Sequence, residues 1–234
     1  PEWVGDNAAK LAKSKLNAQS LPSQKCPVIF SNRVSGGLFS QLIGALGGSR
    51  QYKKSTFLLD SIDQIILPES ISILENPFAK KTIGAKAFDR DGVLKRQQYF
   101  VENGRVKSYV LSQYSANQLG LQTTANSGGV NNLIIEHQFK GDLNDMIKTM
   151  NKGVLVTELM GQGVNATTGD YSRGALGFWV ENGEIQYPVS GITIAGNLKD
   201  MLLGIEHIGS DVDHRTNIKV GSIMINQMTI AGES

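Results

Sequence analysis

Three histidines, His137, His207 and His214, are the side chains in this sequence best suited to hold a metal ion. A zinc site takes three or four ligands, usually with a local pair on one face of an element. His207 and His214 stand seven residues apart with Asp211 and Asp213 between them. Gly209-Ser210-Asp211 reads as a loop, so an ordinary polar loop outweighs a cation site there, and no His-Glu-x-x-His run occurs. Among nucleophiles, Ser172 and Thr168 lie near Asp170, but no histidine is close in sequence and no Gly-x-Ser-x-Gly elbow is present. Cys26 precedes Pro27 at the start of an apolar run, a poor setting for an exposed thiolate. With 21 acidic residues a carboxylate pair can be drawn almost anywhere and specifies nothing. The residues alone do not support catalysis.

The totals set wide bounds. The 234 residues, 40% of them hydrophobic, suffice for one large domain with a real core. Twenty-three basic against 21 acidic residues leave a net charge of +2, too little for a surface that tracks phosphates, so no direct nucleic-acid partner is expected. A single cysteine excludes an internal disulfide and a multi-thiolate zinc site and fits the cytoplasm. No run approaches the roughly 20 apolar residues that span a bilayer, so no membrane partner is expected. The chain opens on PEWVGDNAAK without a methionine, which fits a processed chain or part of a longer one.

The elements that would position these residues follow from local signals. Asp6 is expected to cap an opening helix with Ala8, Leu11, Ala12 and Leu16 on one face, and Cys26 to Phe30 to form a buried strand. Leu38, Phe39, Leu42, Ile43 and Leu46 make a helical stripe before Gly47-Gly48, glycines best explained by close helix packing. Arg50 to Lys54 form a solvent-facing basic cluster, and the short apolar runs from Ile62 to Leu74, punctuated by Pro68, read as strands and an irregular connection. Ser112 and Asp142 cap two further helices, the second with Leu143, Met146, Ile147 and Met150 inward and Gly153 at its end. Asn197 starts a last helix through Ile205, and Ile218 to Ile230 give two strands around Asn226-Gln227. Two hairpins echo each other: Tyr99-Phe100-Val101-Glu102-Asn103-Gly104-Arg105-Val106 and Phe178-Trp179-Val180-Glu181-Asn182-Gly183-Glu184-Ile185. The fold class expected is α+β, with β-rich mixed or antiparallel sheets, hairpins and about five short helices.

The stretch Gly153 to Leu198 gathers paired glycines, the Thr167-Thr168-Gly169-Asp170-Tyr171-Ser172-Arg173 segment and a hairpin into one unit. Gly161, Gly163, Gly169 and Gly174 would let another backbone approach closely, and Gln162, Thr168, Asp170 and Arg173 would orient a substrate or partner. Equally, the glycines would serve bulges and tight corners, with Asp170 and Arg173 forming an internal ion pair.

This stretch also carries a resemblance. Thr157 to Gly163, Thr168 to Ala175, Gly177 to Ile185 and Tyr187-Pro188-Val189, with Ile194 to Leu198 and the earlier Lys54 to Ser61, resemble the PmbA (TldE) branch of the TldD/PmbA proteins. The likeness covers nearly the whole chain and implies a single carboxy-terminal domain, residues 1–234, of proteins about twice as long. It implies a cytoplasmic proteolytic system in which a TldD-like subunit holds zinc through a His-Glu-x-x-x-His helix and a PmbA-like subunit pairs with it. On that alignment Ser31 and Gly36 stand at the histidine positions, Asn32 at the glutamate position and Val220 near a cysteine ligand. The resemblance thus implies no catalytic residue, no metal and no cofactor in this chain. It implies a TldD-like partner and a peptide or unfolded-protein substrate, and it leaves room for a homodimer of the isolated domain. The alternatives are an autonomous metallopeptidase and a modulator of DNA gyrase acting through protein contacts.

Overall fold

The computed structural model describes residues 2–232. In chain order these form α1 (Glu2–Lys13), β1 (Gln24–Phe30), α2 (Asn32–Ala45), α3 (Gly48–Tyr52), β2 (Ser72–Glu75), β3 (Gln98–Glu102), β4 (Arg105–Val106), α4 (Gln113–Leu119), β5 (Leu133–Glu136), α5 (Leu143–Met150), β6 (Gly153–Met160), β7 (Asp170–Glu181), β8 (Glu184–Asn197), α6 (Leu198–Leu203), β9 (Ile205–Ile208), β10 (Ile218–Lys219) and β11 (Ile223–Ala231). The architecture is α+β.

One sheet runs β1-β6-β7-β8-β11-β9, and it closes on itself because β1 also pairs with β11. On one edge β1 lies parallel to β6, from Val28 opposite Val154 to Phe30 opposite Val156. On the other it lies antiparallel to β11, from Gln24 opposite Ile230 to Phe30 opposite Ile223. Both faces of β1 are covered. Val28 and Phe30 enter the main core with α2 residues Leu38, Phe39 and Leu42. Ile29 turns outward to a second cluster with Leu155, Val180 and Met224, covered by Met146, Ile147 and Met150 of α5. A strand buried on both faces reads as a continuous apolar run, which is why Val28-Ile29-Phe30 shows no alternation.

A second sheet, β10-β5-β2-β3-β4, carries the first hairpin. Asn103 (φ 50°) with Gly104 (φ 74°), and Asn182 (φ 56°) with Gly183 (φ 72°), hold positive φ at both central positions, the type I′ geometry. The two echoing hairpins lie in different sheets, and the later one extends into strands of 12 and 14 residues.

Five local expectations are corrected. Helix α1 starts at Glu2, so Asp6 is not its cap, and no residue of it is buried. Positive φ after α5 falls on Asn151, while Gly153 begins β6 where a β-carbon would strike the Pro27 carbonyl. Of the 62–74 run only Ser72 to Leu74 fall in a strand, β2; the rest is irregular connection held by the turn, with Ile66 N–H on the Gly104 carbonyl at 2.8 Å. Ile205 belongs to β9 rather than α6, and Asn226-Gln227 do not divide two strands but form a bulge within β11. The bulge faces Pro27, which has no N–H to give the ladder. Other signals act as read. Ser112, Asp142 and Asn197 all cap their helices, and Gly48 packs directly on Ser115 of α4. Gln51, within the basic cluster, turns inward to the Ala45 and Leu58 carbonyls.

The second sheet is tied to its long irregular connections by a buried ion pair. Lys95 lies 3.2 Å from Glu75, both side chains fully covered. Glu75 also accepts from Asn126 Nδ2 (3.0 Å), Gln98 Nε2 (2.9 Å) and the Asn131 amide (2.6 Å), and Lys95 Nζ donates to the Ala125 carbonyl at 2.7 Å. Removing one partner strands the other charge in the interior. Glu75→Gln is therefore expected to cost about 3 kcal/mol in chemical denaturation, and adding Lys95→Met to recover much of that loss.

Candidate functional site

The turn between β1 and α2 brings the motif positions together. Ser31 leaves β1 with its amide on the Val156 carbonyl (2.9 Å), and its own carbonyl accepts from Val34 and Ser35 at 2.9 Å. Its hydroxyl is buried without a hydrogen-bond partner and does not cap the helix. Capping comes from far along the chain. The Asn32 amide donates to Ser222 Oγ (3.0 Å), which donates to Asp211 Oδ2 (2.7 Å). Ser222 N–H reaches Asp211 Oδ1 (3.0 Å), and Asn32 Nδ2 donates to the Asp211 carbonyl (2.7 Å). One turn further on, a β-carbon at Gly36 would lie 4.0 Å from Val220 Cγ1.

These residues do not fit a zinc ion. A neutral hydroxyl, an amide, a bare α-carbon and an isopropyl group offer no thiolate, imidazole or free carboxylate. The one carboxylate in contact, Asp211, has both oxygens engaged by Ser222. Among the described residues no group of three His, Cys, Asp or Glu side chains could hold a metal ion.

The histidines do not converge on this turn. His207, on β9, stacks on Phe139 with ring centres 4.3 Å apart. It shares a cavity of about 340 Å³ with His137, Ser70 and Glu206. His137 resists protonation, first because it is buried and further because Lys140 repels a second positive charge, and its Nδ1 has no partner. His214 is exposed in the loop where a two-point contact with Arg215, at 2.9 Å, holds Asp213 down at about 2.

In the central stretch, Thr168 Oγ1 donates to Asp170 Oδ2 (2.6 Å), and Asn197 Nδ2 donates to Asp170 Oδ1 (3.2 Å) and to the Thr168 carbonyl (3.0 Å). Gly163 accepts the Ser172 amide at 2.7 Å, and any β-carbon there would overlap the Ser172 carbonyl. Gly161 (φ 75°) and Gln162 are exposed beside it. Gly163, Asn165, Asp170 and Ser172 line an open depression of about 570 Å³. Asp170 and Arg173 form no ion pair among the described residues. Arg173 falls on the other face of β7 with Tyr171, and both Arg173 Nε and the Tyr171 hydroxyl are buried without partners. Burial pushes Tyr171 up to about 12 against the opposing charge of Arg173. Ser222 had no signal in the sequence, since its partner Asn32 is 190 residues away.

A family model described as PmbA/TldA metallopeptidase C-terminal domain matches residues 23–232, and the chain belongs to that family. It is 49% identical over 233 residues to metalloprotease PmbA of Escherichia coli O157:H7, covering 100% of this chain and 52% of that protein. A PmbA homolog of Haemophilus influenzae is 46% identical over 232 residues, 99% of this chain and 51% of the relative. Among solved structures, TldE of Thermococcus kodakarensis superposes with a TM-score of 0.85 at 28% identity, over 99% of this chain and 55% of its own. A Thermotoga maritima protein named for modulation of DNA gyrase superposes at 0.91 and 30% identity, over 99% and 55%. The chain spans about half the length of the relatives it matches.

Two outcomes test this geometry. Ser222→Ala leaves the Asn32 amide and Asp211 Oδ2 unpaired; it should lower stability by about 1–2 kcal/mol and speed hydrogen exchange at Asn32. Burial pushes the Cys26 thiol up to about 11. At pH 8 it should therefore react with a disulfide reagent about 100-fold more slowly than an unfolded-chain thiol. The protonated thiol also has a stability sign. Its contribution is fully present below the unfolded-chain value of 9.0 and is lost as pH rises toward about 11.

Proposed function

We propose that the chain is the carboxy-terminal domain of a non-catalytic PmbA (TldE)-type subunit that pairs with a TldD-like zinc metallopeptidase in the processing of peptides or unfolded proteins. The observation that carries the reading is the turn at Ser31, Asn32, Gly36 and Val220, where the side chains at the motif positions offer no metal donor set and Asp211 is consumed in closing the helix terminus. Hydrolysis by a metallopeptidase needs a Lewis acid to acidify water and a base to take its proton, and this turn holds neither. Pairing is supported by kinship of the domains. A Buchnera aphidicola protein called a metalloprotease TldD homolog is 23% identical over 252 residues, 96% of this chain, so the two branches share the domain throughout.

In this role the residues bind and orient rather than react. The open depression lined by Gly163, Asp170 and Ser172, with Gly161, Gln162 and Thr168 exposed close by in the chain, is the proposed seat of an extended peptide backbone. Arg173 lies on the opposite face of β7, away from this depression. The cytoplasm is the proposed location, in keeping with the single reduced cysteine; among the described residues no helix is long and apolar enough to cross a membrane.

The relatives' names favour a second reading, a metallopeptidase active by itself. The full-length protein and its TldD-like partner should be purified separately and together and given an unstructured peptide. Cleavage is expected from the partner-containing samples, and cleavage by this protein alone overturns the proposal.

A further inference from the structure

Residues 87–95 form a hairpin built inside out. Phe88 bridges Leu94 in antiparallel fashion, with the Asp89 amide on the Val93 carbonyl (3.0 Å) and the Lys95 amide on the Ala87 carbonyl (2.9 Å). Two of its charged residues, Asp89 and Lys95, point in, while Arg90 and Asp91 at the tip stay exposed. Lys95 is paired with buried Glu75, and Asp89 accepts the amides of Asp91, Val93 and Ser127 at 2.9–3.0 Å. The apolar ones point out, with Phe88 63% and Leu94 71% exposed, and Ile83 (64%) and Phe78 (49%) exposed on the approach to the hairpin. Shifting a hairpin's pairing by one residue exchanges its faces, and here the Glu75–Lys95 pair holds the register that keeps the apolar face outward.

Charge flanks that face along the chain. Between residues 77 and 97 the chain carries six basic residues against Asp89 and Asp91. Both aspartates are consumed internally, Asp91 by Ser127 Oγ (2.8 Å) and the Gln113 amide (3.0 Å). Among the described residues only Lys95 of the six basic ones forms an ion pair, which leaves Lys80, Lys81, Lys86, Arg90 and Arg96 without an acidic partner. Beside the hairpin a cavity of about 490 Å³ opens between Lys86, Phe88, Arg90 and the Ser127–Gly129 backbone. Exposed apolar side chains with unpaired charges close by in the chain have the composition of a protein interface. Half of the apolar group is aliphatic, which gives bases nothing to stack on, so charge complementarity points to a protein face with carboxylates around an apolar pocket.

We propose that the 87–95 hairpin, with Phe78 and Ile83, docks into such an acidic, apolar-pocketed face on the paired metallopeptidase subunit. This rests on the pairing proposed above and locates its contact. The test measures binding of the full-length protein to its TldD-like subunit by biolayer interferometry, comparing wild type with Phe88→Ser/Leu94→Ser and Lys86→Glu/Arg90→Glu. Each double variant should bind at least about tenfold more weakly while melting at the wild-type temperature. The defect of the charge variant should shrink in high salt. Unchanged affinity in both variants overturns the docking site alone; failure of the wild-type proteins to associate overturns the pairing and the docking site with it. Hydrogen-exchange protection of 87–95 already present in the unpaired full-length protein would assign the surface to its own remaining half. Variant-sensitive self-association, or binding of single-stranded DNA or anionic vesicles lost in the same variants while the complex persists, would also overturn the site.

Discussion

β1 carries a hydrogen-bond ladder on each edge, parallel to β6 and antiparallel to β11, and the sheet closes only through it. Closure fixes where its last residue goes. Phe30 is opposed by Val156 on one side and Ile223 on the other, so Ser31 emerges beside the segment that leads into β11. Ser222 and Val220 are therefore delivered to the first turn of α2 whatever side chains occupy that turn. The scaffold presents a strand-to-helix site, and the residues it presents are a hydroxyl, an amide, a glycine and a valine.

With those residues, the first N–H of the helix is taken by the protein itself. Helices leave N–H groups unpaired at their start, which makes them ready anion sites. Here Ser222 takes the Asn32 amide and Asp211 orients Ser222, while the Asn32 amide group ties back to the Asp211 carbonyl. The bridge thus supplies stability at the place where the resemblance puts chemistry in the other branch, and the proposed division of labour between subunits follows from that exchange.

What was legible in the sequence was what short spacing encodes. The Asn-Gly hairpins, the caps at Ser112, Asp142 and Asn197 and the core stripe of α5 depend on neighbours a few residues away, and the structure has them where the spacing puts them. Three things depend on distant partners and were not legible. Helix α1 has an apolar stripe but nothing in the described residues to bury it against. The Asn226-Gln227 pair has the local character of a turn, but it lies across from Pro27, where a missing N–H makes a bulge the natural solution. The Asp211–Ser222–Asn32 bridge joins positions 179 and 190 residues apart. Of the candidate site, the motif positions were nameable from the resemblance, whereas the fates of Asp170 and Arg173 on opposite faces of β7 needed the strand itself.

The most direct measurement of the central claim is the metal content of the full-length protein, purified without its partner, equilibrated with excess zinc, desalted and analysed by mass spectrometry. A turn built from Ser31, Asn32, Gly36 and Val220 should retain only traces, unchanged by Asn32→Ala or Asp211→Asn. A full equivalent of zinc per chain, lost in either variant, would contradict the account.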